Sequence, residues 1–234
     1  MRSPIHLPTF FITVIITTFF LLIFISLRLK MGVDCDSMKK IHKKKIKKYG
    51  RTGDIIVVAY GSKRAKLVKV FTGSMWTHCS ILLVEENKPM RVIEVAHYGE
   101  DRTGLVITDL EEWLKRHKYC ILGYRPYHGS RLNKSRIDTY IEENEGIRAD
   151  MNVVSWLKTM YKFSYKTTKK KRFYCSEFVV SFLQDMGIMR KKYDASGYKP
   201  WELLYGDIPL REKGAYTYSY LIKDYKDEYA DDDE

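Results

Sequence analysis

Hydrophobic positions are distributed unevenly along this chain. Pro8 to Leu27, PTFFITVIITTFFLLIFISL, is almost wholly apolar, and no Lys, Arg, Asp or Glu occurs from Ser3 to Leu27. About 20 such residues cross a bilayer core. The run is long, β-branched and aromatic, and no A-x-A cleavage site follows, so it reads as an uncleaved anchor rather than a signal peptide. Beyond it the apolar blocks are short. GDIIVVAYG (53–61) reads as a buried strand closed by a glycine turn. After a polar linker, THCSILLVEENKPMRVIEVAH (77–97) reads as two strands around a turn at 85–89. LVITDLEEWLKRHKYCILGYRPY (105–127) gives a strand, a helix begun by Thr108 or Asp109, and a strand. SRIDTYIEENEG, NVVSWLKTMYKF and YCSEFVVSFLQDMG carry helical spacing, the first ended by Gly146 and the last by Gly187. KPWELLYG fits a short helix, and YTYSYLIK (216–223) alternates as a late strand. Strands followed mainly by helices and one last strand predict an α+β fold, a small antiparallel sheet packed by helices.

Charge divides the chain further. The formal net charge is +12 over 234 residues. Residues 28–51 hold ten Lys/Arg against Asp34 and Asp36, and residues 224–234 hold seven acidic residues against Lys226. The expected organisation is an anchor at 1–27, a basic juxtamembrane connector at 28–51, a folded domain at 52–223 and an acidic disordered tail at 224–234. Lysines after the apolar run favour a single-pass protein with its C-terminal domain in the cytosol, or facing inward beneath a virion membrane. The same lysines would lie against anionic headgroups. No aromatic residues interleave them, so no specific nucleic-acid partner is expected. Cysteines at 35, 79, 120 and 175 match no zinc pair or disulfide framework.

Candidate chemistry starts at Cys175. Phe178, Val179, Phe182, Leu183 and Met186 follow it at helical spacing, so Cys175 opens an apolar face. On that evidence it is either a small core residue or a nucleophile placed in a helix first turn, where unpaired N–H groups favour a thiolate. A thiol needs a base, and the base a partner. His78 and Glu94 each interrupt an apolar strand. Pairing Val84 with Lys88 sets His78 directly opposite Glu94, and any even shift keeps both on one face of the hairpin. Cys79 points to the other face, Cys120 lies among apolar residues, and His117 and His128 sit among polar ones. No metal-ligand spacing and no phosphate loop is present, so no cofactor is expected.

GDIIVV, THCSILLV, VIEVAHYG, YRPY, FYCSEFVVSFLQDMG and KPWELL, in that order, resemble the permuted papain-like YiiX/YaeF-like branch of the NlpC-type cysteine peptidase superfamily. Poxviral and lecithin–retinol acyltransferase-like proteins are its relatives. The resemblance covers residues from about 50 to 210. It implies a permuted papain-like fold with Cys175 as nucleophile, His78 as base and Glu94 as the third polar residue. It also implies a thiol hydrolase or acyltransferase acting on an amide, ester or thioester bond of an acyl, lipid or peptide substrate. Backbone N–H groups near Cys175, with a tyrosine from the late strand, would hold the oxyanion. The competing expectation is a non-enzymatic membrane-anchored structural or interaction protein, such as a viral envelope protein, retaining the fold.

Overall fold

The computed structural model describes residues 11–19, 21–22, 37–99, 103–150, 172–191, 194–212 and 215–223. Its largest feature is a seven-stranded sheet. In chain order the elements are β1 (Lys39–His42), α1 (Lys43–Tyr49), β2 (Ile55–Ala59), α2 (Lys63–Thr72), β3 (His78–Leu83), β4 (Arg91–His97), β5 (Thr103–Asp109), α3 (Leu110–Arg116) and β6 (Ile121–Arg125). Then follow α4 (Lys134–Glu143), β7 (Arg148–Ala149), β8 (Arg172–Phe173), α5 (Cys175–Asp185), a 3-10 turn at Ala195–Gly197, α6 (Pro200–Tyr205) and β9 (Tyr220–Lys223). The sheet order is β1-β9-β6-β2-β3-β4-β5, and β7 pairs with β8 separately.

Both faces of the central strands are covered, which explains their unbroken apolar runs. Ile55 and Val57 of β2, Cys79 and Ile81 of β3 and Ile93 and Val95 of β4 share one core with Phe178, Val179, Phe182 and Leu183 of α5 and Leu203 and Leu204 of α6. Ile56, Val58, Leu82 and Val92 point the other way, onto Ile46 of α1 and Leu110, Trp113 and Leu114 of α3.

Several expectations are corrected. The sheet is larger than expected and not wholly antiparallel, because β1 pairs in parallel with β9 at its edge. The stretch expected as a connector at 28–51 therefore supplies a strand and a helix, with Ile46 buried on the sheet, and the fold takes in residues well before 52. The polar linker after β2 is the helix α2, capped by the Ser62 side chain. The β3–β4 register differs by two residues from the expected one, with Ile81 opposite Ile93 and Leu83 opposite Arg91. The loop between them is longer than expected, with Asn87 in the left-handed region and Glu85 paired with Arg91 and Lys88. Helix α4 stops at Glu143, before Gly146.

The helix expected at 152–163 and the acidic tail lie outside the described residues. Residues 11–19 and 21–22 are helical and present large apolar side chains to the surroundings. Among the described residues no helix is long and apolar enough to cross a membrane.

Candidate active site

One end of the sheet gathers the polar residues that interrupt its apolar strands. There β2 ends, β3 begins with His78 paired to Val58, β4 ends, and α5 begins with Cys175. Helix α5 starts at Cys175 because Tyr174 is extended and Glu177 Oε2 accepts from the Tyr174 N–H at 3.4 Å. The apolar face that follows seats the helix on β3 and β4.

His78 and Glu94 meet as parity requires. With the register two residues off, they are diagonal neighbours on one face rather than directly opposed, and Nε2 of His78 lies 2.7 Å from Oε2 of Glu94. Glu94 is fully buried, and its Oε1 accepts from the Tyr98 hydroxyl at 2.5 Å and from Nε1 of Trp113 at 3.0 Å. The Cys175 thiol lies beside His78 and Cys79, close enough for both to act on its charge state. Since Nε2 of His78 is taken by Glu94, Nδ1 is the ring nitrogen left for the thiol. Cys175 itself is only partly buried.

The electrostatics of these groups are coupled. Burial alone would raise the Glu94 carboxyl, but His78, by hydrogen bond and charge, and then Tyr98 and Trp113 hold it below the usual carboxylate range. Burial disfavours the His78 cation, yet the Cys175 thiolate and Glu94 together hold it above an ordinary histidine. Cys175 lies well below an ordinary thiol. The Cys79 side-chain hydrogen bond contributes most, burial opposes it, and the charge and hydrogen bond of His78 add to the lowering. Burial, and then the neighbouring Cys175, push the Cys79 thiol up. A Cys175 thiolate facing a His78 imidazolium is the charge state this arrangement favours.

All three candidate residues, Cys175, His78 and Glu94, come together. Cys79 does point to the other face of β3, but that face is the one α5 covers, so it lies beside the nucleophile candidate instead of away from it. His117, which sits among polar residues in the sequence, is buried. The late strand does not supply the expected tyrosine, because the Tyr216 hydroxyl donates to the Gly53 carbonyl and Tyr220 packs in the α1–α3 core. Sequence reasoning missed Tyr98 and Trp113; the one signal for Tyr98 was the VIEVAHY stretch, where it follows Glu94 by four residues.

The family model of the permuted papain-like amidase enzymes, YaeF/YiiX, C92 family, matches residues 49–200 and so takes in His78, Glu94 and Cys175. The chain belongs to this family. The crystal structure of the metalloprotein YiiX from Escherichia coli O157:H7 is similar at 22% identity, with 72% of this chain and 88% of that chain covered and a TM-score of 0.44. No curated protein matches the chain. Among the described residues no group of three or more His, Cys, Asp or Glu side chains could hold a metal ion.

Proposed function

We propose that this protein is a cysteine hydrolase of the amidase kind in which Cys175 is the nucleophile, His78 the general base and acid, and Glu94 the residue that orients His78. The observation that carries the reading is the buried His78–Glu94 pair, 2.7 Å apart, set beside a part-exposed thiol at a helix start. Cys175 Sγ attacks the carbonyl carbon of an amide or ester. Charge moves to the carbonyl oxygen, which the N–H groups of the first turn of α5 are placed to receive. His78 then gives its proton to the leaving amine or alkoxide, and a thioester to Cys175 remains. Water, deprotonated by His78, attacks that thioester and restores the thiol. An alcohol or amine acting in place of water would make the same site an acyltransferase.

The substrate we infer is a lipid or a lipidated molecule at a membrane surface. Supporting this are the uncharged run from Pro8 to Leu27, the exposed apolar side chains of its described helical residues, and the lysines of β1 and α1. The excess of positive charge on that side supports a folded part that faces the cytosol or the virion interior. Protease protection with tags at both ends checks the placement, and a protected C-terminal tag in microsomes would refute it.

The catalytic reading is tested by trapping the acyl-enzyme. The full chain is mixed with an N-acyl peptide amide, a phospholipid ester and an acyl thioester, quenched in acid and analysed by peptide mass spectrometry. The expected result is an acyl group on Cys175 that disappears in His78→Ala. Acylation of another residue, or of none with all three donors, would sink the assignment. Free acid or acyl-acceptor adduct among the products separates hydrolase from acyltransferase.

A further inference from the structure

Glu94 is the near end of a row of polar groups, and the far end, His117, has no part in the steps above. His117 follows α3, is 1% exposed and stacks on Trp113 with ring centroids 4.0 Å apart. Its Nδ1 lies 2.7 Å from the Trp113 carbonyl oxygen. A carbonyl only accepts, so Nδ1 carries a proton and Nε2 of the neutral ring is a bare acceptor. That Nε2 is 2.6 Å from the Tyr60 hydroxyl. Tyr60 also lies beside Tyr98, whose hydroxyl donates to Glu94. The Tyr60 ring touches both histidines, 5.7 Å from His78 and 5.5 Å from His117 between centroids.

The protons available on this row decide what it can do. Tyr98 has committed its proton to Glu94, so a bridge from Tyr60 to Tyr98 must use the Tyr60 proton. Neutral His117 competes for that same proton. Protonated His117 cannot accept. It donates from Nε2 to the Tyr60 oxygen, and the Tyr60 proton turns to Tyr98. Every bond then points from His117 through Tyr60 and Tyr98 to Glu94, and aligned bonds polarise one another. Glu94 is held more strongly by Tyr98 and pulls less on His78, while the new positive charge opposes the His78 cation directly.

We propose that His117 is a positioning residue that governs, through Tyr60 and Tyr98, how strongly Glu94 holds His78 and so how readily Cys175 ionises. The inference rests on the roles given above to Cys175, His78 and Glu94. The charged and titratable groups facing His117 are Glu94 of β4, Tyr98 beyond it, His78 of β3, Tyr60 beyond β2 and Arg116 of α3. Burial is the largest influence and holds the His117 cation below an ordinary histidine; the Trp113 carbonyl and Glu94 work against it, and His78 and Arg116 with it. The device therefore acts on the acid side of neutrality.

The test is the rate of Cys175 alkylation by iodoacetamide against pH, followed in the full chain by peptide mass spectrometry. His117→Gln keeps an acceptor for Tyr60 but does not titrate. Tyr60→Phe keeps the ring packing and breaks the row. Between about pH 7 and 5 the wild type should lose roughly threefold more rate than either variant, the effect of about half a pKa unit on the thiol. A merely structural role would lower all rates in parallel. If whichever of the two variants folds runs parallel to wild type while His78→Ala still slows Cys175, the proposal fails and the catalytic reading stands. If His78→Ala leaves Cys175 unchanged, both fail.

Discussion

Two buried carboxylates, one just before β2 and one on β4, each accept from three donors, and they behave oppositely. Before β2, Asp54 takes the N–H groups of Arg51 at 2.8 Å and Tyr127 at 2.7 Å, together with the Tyr124 hydroxyl. On β4, Glu94 takes His78, Tyr98 and Trp113. Burial is the largest influence on both. It wins at Asp54, whose carboxyl is pushed up, and loses at Glu94, whose carboxyl is held down. Hydrogen-bond number does not separate them. Glu94 has a hydrogen-bonded partner that itself carries charge, His78, and that partner is in turn charged through Cys175. At Asp54 the donors are neutral groups and the charge of His128 is the smallest contribution. A buried acid with neutral donors ties elements together, whereas one with a chargeable histidine and a thiol behind it is equipped for proton transfer.

Substitution at the two acids should break this comparison most visibly. Glu94→Gln keeps the volume but removes the charge that fixes the His78 tautomer, and turnover should fall about 10²–10⁴-fold. Its amide also cannot accept at both oxygens, so the thermal midpoint should fall too. Asp54→Asn should lower the midpoint and leave turnover nearly intact. Its amide cannot accept at both positions, so a buried donor is left unpaired at a cost of about 1–3 kcal/mol, or roughly 2–4 °C per kcal/mol in a protein of this size. Cys175 alkylation should survive. Assay and thermal unfolding on both variants check the split, and a fall in turnover for Asp54→Asn equal to that for Glu94→Gln would refute it.

The pH dependence of stability should carry the same signature with opposite signs. Glu94 has a lowered folded pKa, so its contribution is full above the unfolded value near about 4.3 and is lost as pH falls through the folded value. Asp54 has a raised folded pKa. From about 3.9 upward to that value the native state binds more protons than the unfolded one, so its contribution is lost as pH rises through this window. Urea midpoints measured against pH should lose the falling limb in Asp54→Asn and the acid-side loss in Glu94→Gln. Identical curves for the two variants would contradict the contrast.

How much of this was legible beforehand follows from which signals are local. Side-chain parity put His78 and Glu94 on one face, and helical spacing put Cys175 on the inward face of α5, because both periodicities are backbone properties. The register itself was two residues off, since it depends on the length of the loop around Asn87. Strand β1 was invisible because four residues reading KKIH become a strand only by pairing with β9, some 180 positions away in the chain. His117 gave no signal for a related reason: KRHKYC is polar in sequence, but the ring turns back onto Trp113. Tyr60 and Tyr98 lie just past strand ends, where no periodic pattern marks them.

The smallest expected effect sharpens the comparison at a single atom. Cys79 gives the Cys175 sulfur a side-chain hydrogen bond, the largest influence in lowering that thiol, and its backbone N–H gives another. A thiol is a weak donor on its own, but here its acceptor is an anion in a buried place, where charge-assisted bonds are roughly twice as strong as neutral ones. Cys79 keeps its own proton because burial and the adjacent thiolate both push it up. Cys79→Ala removes the side-chain donor and leaves the backbone one, so Cys175 alkylation at neutral pH should slow by about threefold to tenfold, the effect of half to one pKa unit. Cys79→Ser restores a donor of similar size and should recover most of that loss. His78, Glu94 and their hydrogen bonds are untouched in both, so the His78→Ala effect on Cys175 should persist in either background. Equal rates for the alanine and serine variants would show that Cys79 matters to Cys175 as packing rather than as a donor, and the low thiol pKa would then rest on His78 and the start of α5.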